Sequence, residues 1–113
     1  MQVPKLTNMT SPRSGVAVAN QYIIETDDGE VFQSYRTPIA QKHAGRKYTK
    51  YTISSNYNYS VTTEKYFTQW LRSFGFNDVE IKALKRWLSS AKYGSELVEL
   101  VAMPVSITYV EEL

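Results

Sequence analysis

The chain has 113 residues, 42% of them hydrophobic, and a net charge of +2, which suits one domain with a modest core. It contains no cysteine, which excludes disulfides, thiolate metal ligands and a cysteine nucleophile. No apolar run reaches the roughly 18 residues of a membrane span, and the amino-terminal MQVPKLTNMTSPRSG lacks the apolar core of a signal peptide, so the expected setting is cytoplasmic.

Residues 1–15 read as a flexible polar arm punctuated by Pro4, Pro12 and Gly15, leaving 16–113 as a single domain. Residues 18–26 suit a strand centred on Tyr22, Ile23 and Ile24. Asp27-Asp28-Gly29 supplies a hairpin turn, and 30–35 return as a second strand. Thr37-Pro38 is expected to break the ladder, with Ile39 and Ala40 in a short turn and 41–47 as a basic loop around Gly45. Residues 48–53 can form a third strand, with Tyr48, Lys50 and Thr52 on one face and Thr49, Tyr51 and Ile53 on the other.

Residues 54–60 are a tyrosine-bearing loop that leads into a helix over 62–74. Ser60, Thr62 or Thr63 can cap it, and Tyr66, Phe67, Trp70, Leu71 and Phe74 form one apolar stripe at helical spacing. Gly75 ends it as the left-handed residue after the cap. A second helix over about 78–91 has Asn77 as cap and Glu80 at the capping-box position. The short connection makes a two-helix hairpin. Residues 96–103 and 105–111 read as two strands around Pro104, although ELVELVAM also suits a helical extension. The expected fold is α+β, an antiparallel sheet of four or five strands packed on one face by a two-helix hairpin.

Charge is unevenly spread along this framework. Residues 31–63 hold five bases, five tyrosines and no acid, whereas the last segment, 95–113, carries four acids and no base. Arg36, Lys42, Arg46, Lys47, Tyr48, Lys50 and Tyr51 are therefore the candidate binding residues. Lysine and arginine neutralise phosphates, and tyrosine stacks on bases with little regard to their identity. The same residue types also anchor protein interfaces.

Catalytic chemistry has little to stand on. The lone histidine, His43, lies in a polar stretch without a second histidine or a cysteine to complete a familiar metal site. No phosphate-binding glycine motif is present. The expectation is a protein that is not an enzyme and uses no cofactor or metal.

SPRSG (11–15), VANQYII (18–24), VFQSYRTPIA (31–40) and YNYSVTTEKYFTQWL (57–71) together resemble a family of small phage and mobile-element proteins without a settled function. The resemblance implies an accessory role without catalysis. The partner would be nucleic acid, or a host or phage protein, as in stoichiometric inhibitors of host defence systems such as CRISPR inhibitors. It also draws notice to Arg13, Asn20, Gln21, Gln33, Ser34 and Tyr35, and to Tyr59, Thr62, Thr63, Lys65 and Tyr66. Within that set Asn20 and Gln33 are expected to pair across the hairpin.

Overall fold

The hairpin around Asp27 and Asp28 forms, and it sits inside a larger sheet than the sequence suggests. The computed structural model describes residues 3–45 and 49–113. Its strands are β1 (Lys5–Thr10), β2 (Ala17–Thr26), β3 (Gly29–Ser34), β4 (Thr37–His43), β5 (Lys50–Ser54), β6 (Glu96–Leu100) and β7 (Met103–Val110). They make one seven-stranded sheet in the order β1-β2-β3-β4-β5-β7-β6. Helices α1 (Val61–Ser73) and α2 (Asp78–Leu88) connect β5 to β6, preceded by a single 3₁₀ turn at Ser55–Asn58.

This corrects the expected four- or five-stranded antiparallel sheet in two respects. Two strands are added, and one pairing is parallel. The chain leaves β5, runs through both helices and descends β6. The final hairpin then inserts β7 between β5 and β6, so β7 runs parallel to β5.

The added strands are those whose sequences hide them. β1 lies where a flexible arm was expected; it is polar, and Met9 is its sole buried side chain. β4 contains Pro38, a poor residue for an inner strand because it cannot donate to the ladder. A bulge resolves the conflict. Phe32 pairs with Ala40 and Gln33 with Pro38, leaving Ile39 as the extra residue. The Ser54 hydroxyl donates to the Ile39 carbonyl at 2.8 Å, and both Ile39 and Ala40 are buried.

Gly29 opens β3 where two strands crowd. A Cβ there would lie 2.0 Å from the Lys42 carbonyl oxygen, so the glycine is required by the approach of β4 as well as by its φ of +131°.

Both helices follow their sequence signals closely. Ser60 caps α1 through Thr63 N–H at 3.0 Å. At the other end Gly75 N–H donates to Arg72 and Phe76 N–H to Leu71, the paired bonds of a Schellman stop. Asn77 and Glu80 form the capping box of α2. One core joins helices and sheet, with Phe32, Ile53, Phe67, Trp70, Leu71, Leu84 and Ile107 fully enclosed. Trp70 lies at its centre, its ring 5.0 Å from Phe74 and 6.1 Å from Tyr51, and its Nε1–H donates to Glu30 Oε2 at 3.2 Å. The opposite face of the sheet, with Val31, Gln41, Thr52 and Thr108, is only half-buried.

Candidate functional site

The described residues of the basic, tyrosine-rich window fall on different faces and ends of the sheet. Lys42 pairs with Tyr51 and His43 with Lys50 across β4 and β5. Alternation therefore sends Lys42 and Tyr51 to the helix side and Lys50 to the open side. Tyr51 is core, and burial drives its phenol far above its ordinary pKa. Lys42 sits with its Nζ 5.0 Å over the Phe74 ring and opposite Glu30 in the neighbouring strand. Lys50 is exposed. Arg36 stands at the other end of β4, six residues from Lys42 and so about 20 Å away. Arg46, Lys47 and Tyr48 lie outside the described residues.

The shallow depression beside Lys42, about 320 Å³, is lined by Glu25 and Glu30 as well as Lys42, His43 and Phe74. Its charge is mixed. Burial raises the Glu30 carboxyl above the usual carboxylate range, while the Trp70 N–H partly offsets that rise. Burial and the adjacent Lys50 push the His43 imidazole down, and its Nε2 shares a 2.7 Å hydrogen bond with Thr52.

A larger cleft, about 810 Å³, opens at the opposite end of the sheet. Three segments build it: Asn20 and Tyr22 from β2, Ser34 to Thr37 around the β3–β4 turn, and Tyr59, Ser60 and Thr62 at the entry to α1. All nine lining residues are Tyr, Ser, Thr, Asn or Arg, and none is acidic. Tyr59 is 76% exposed and Tyr35 50% exposed, so both rings are presented to solvent. Arg36 makes no hydrogen bond or ion pair among the described residues. On its far side it shares a separate depression with Asn56 and Glu112.

Two backbone positions hold the cleft in shape. Asn20 and Tyr35 both have positive φ, +66° and +56°, and Tyr35 N–H donates to the Asn20 carbonyl at 2.6 Å. Ser34 and Thr37 pair across a two-residue turn whose first central residue is Tyr35. Glycine ordinarily takes that position in a turn of this hand. Gln33 does not pair with Asn20 as expected; its Nε2 donates to the Tyr35 carbonyl at 3.0 Å, tightening the same turn.

Beneath the cleft runs a chain of polar groups, buried at Gln21, Ser34 and Thr63 and half-buried at Ser60. Gln21 Nε2 donates to Ser34 Oγ at 3.0 Å, Ser34 and Thr63 hydroxyls share a 2.8 Å bond, and Ser60 donates to Thr63 Oγ1 at 3.0 Å. These bonds tie β2, β3 and the first turn of α1 together. The Gln21 Oε1 is buried without a partner among the described residues.

Residues 4–89 match the model of a family of unknown function, DUF8033. The chain belongs to that family. The DUF8033 match runs from β1 through α2, so it contains every residue that lines the cleft, while β6 and β7 lie outside it. No curated protein and no solved structure matches the chain.

Asn20, Ser34, Tyr35, Tyr59 and Thr62, singled out by the resemblance, all line the cleft, and Gln21 and Thr63 form its polar underside. Of the described residues chosen for charge and aromaticity, only Arg36 joins them. Sequence reasoning missed Tyr22, Ser60 and Thr37 as neighbours because their proximity depends on the register of β2, β3 and α1. Among the described residues no group of three or more His, Asp or Glu side chains is placed to hold a metal. None of the described helices is long and apolar enough to cross a membrane.

Proposed function

We propose that the protein is a non-catalytic binding protein whose recognition surface is the cleft at the β3–β4 turn, and that its partner is another protein. The observation that carries this reading is Tyr35. It occupies a left-handed position where an L side chain is strained by about 1 kcal/mol, and its ring is half exposed, so packing does not repay the strain. The β6–β7 turn holds Val101 at a similar φ of +58°, so the strain alone marks no site; what supports use is that at the cleft rim the strained residue is an exposed tyrosine. The composition of the cleft supports the same reading. Tyrosines give large amphipathic contacts with little side-chain freedom to lose, and Ser, Thr and Asn give adaptable hydrogen bonds, the mixture that antibody loops use against proteins.

The accessory role in a phage or mobile element, and the inhibition of a host defence protein, belong to this proposal through the sequence resemblance. Nucleic-acid binding through the described residues of the basic window has less support, because Tyr51 is core, Lys42 faces Phe74 and Arg36 is far from both. Affinity capture with the wild-type protein and with Tyr59→Ala, at matched stability, tests the proposal. A protein recovered by the first and lost by the second is the expected result. Equal recovery by both, or recovery of nuclease-sensitive material alone, would sink it.

A further inference from the structure

The charge of the cleft narrows the choice of partner. Its lining carries one cation, Arg36, and no acid. Several other described cations are engaged elsewhere, among them Lys65, one turn along α1 from Thr62, whose Nζ lies 5.4 Å from the Tyr66 ring. Arg72 pairs with Asp78 at 2.9 Å, Lys85 with Glu64 at 3.7 Å, and Lys42 lies over Phe74. A nucleic-acid strand brings a phosphate about every 3.4 Å, and beyond Arg36 it would meet Glu112 in the adjoining depression. One arginine between exposed tyrosines suits a ligand with one localised negative charge. The guanidinium fork matches a carboxylate with two parallel hydrogen bonds.

We propose that the cleft seats a protein segment carrying an Asp or Glu, with its carboxylate on Arg36 and its neighbouring residues between Tyr35 and Tyr59. Thr62, at the entry to α1, also lines the cleft, and its hydroxyl meets the segment's backbone. This rests on the reading of the cleft as a protein-binding site and adds the chemistry that the partner presents there.

Short random peptides displayed on phage, selected on the intact protein and depleted on Tyr59→Ala, isolate cleft-dependent binders. The survivors should share an Asp or Glu. Synthetic survivors should lose roughly fivefold in affinity when that residue becomes Asn or Gln, the scale of an exposed ion pair. Arg36→Gln should erase that difference, and Arg36→Lys should restore only part of it. Cleft-dependent peptides with no acidic preference, or a preference that survives Arg36→Gln, would overturn the proposal while the protein-binding reading stands. A selection that yields no cleft-dependent peptide, or oligothymidylate binding that moves the amide NMR signals of Tyr35 and Tyr59, would overturn both. Thermal melts of each variant establish that the fold is retained.

Discussion

Two residues show how local chemistry and fold stability pull apart in this protein. Tyr35 is strained by its backbone and gains little from burial. Tyr35→Gly should therefore leave stability unchanged or raise it by up to about 1 kcal/mol, measured by urea denaturation, while partner binding falls. A large loss of stability would show that the ring is a packing element. Glu30 is the complementary case. Burial raises its folded pKa above its unfolded value, with the nearby Glu25 adding to the rise and the Trp70 N–H and Lys42 opposing it. Ionisation is therefore less favourable in the folded state, and the carboxylate weakens folding as pH climbs from the unfolded pKa through the folded one. Glu30→Gln keeps an acceptor for Trp70 and has no charge to desolvate. It should be more stable than wild type at pH 7, by less than about 1 kcal/mol because the group is partly exposed and screened. The difference should vanish as pH falls below the ordinary carboxylate range. Paired thermal melts across pH 3 to 7 (roughly the carboxylate titration range) measure it, and a constant difference would mean that charge is not its cause.

At the scale of elements, legibility in the sequence follows the range of the physics. The capping box at Asn77 and Glu80, the Schellman stop at Gly75 and the Asp27-Asp28-Gly29 turn all depend on neighbours within a few residues, and all were readable. β4 was not, because its Pro38 is tolerated only through a bulge that leaves Ile39 unpaired against β3. Nor was β1, whose single buried residue, Met9, leaves no alternating pattern. The parallel partnership of β7 with β5 depends on where a distant hairpin docks, which local propensity does not encode. The cleft was half legible. Its polar residues carried the sequence resemblance, but their meeting point required the register of β2, β3 and α1. Ser60 sits at that meeting point, capping α1 and donating to Thr63. Ser60→Ala should cost about 1–2 kcal/mol, more than a surface serine would. Because Thr63 also bonds Ser34, the amide signals of Ser34 and Tyr35 should shift with it. Movement confined to the first turn of α1 would mean that the hydroxyl chain does not couple helix to sheet.

Taken whole, the molecule separates a dense aromatic interior from a surface on which the described bases of the window are scattered. Phe32, Tyr51, Phe67, Trp70, Phe74 and Phe76 form one continuous set of ring contacts under the sheet. The described bases of the window, Arg36, Lys42 and Lys50, are distributed to opposite ends and faces of the sheet. That dispersal makes a quantitative claim about association. Among the described residues the lining of the cleft offers a partner one cation, Arg36, so its affinity should depend weakly on salt, with a log–log slope no steeper than about −1. A polyanion laid across several lysines would give a slope several times steeper. Titrations with the identified partner between about 50 and 200 mM salt distinguish the two, and Lys50→Ala provides the internal control. It removes an exposed charge on the open face, far from the cleft, and should change neither affinity nor slope. If Lys50→Ala instead weakened binding and flattened the slope as Arg36→Gln is expected to do, the partner would be reading the field of the whole sheet, and the cleft would be only one part of its footprint.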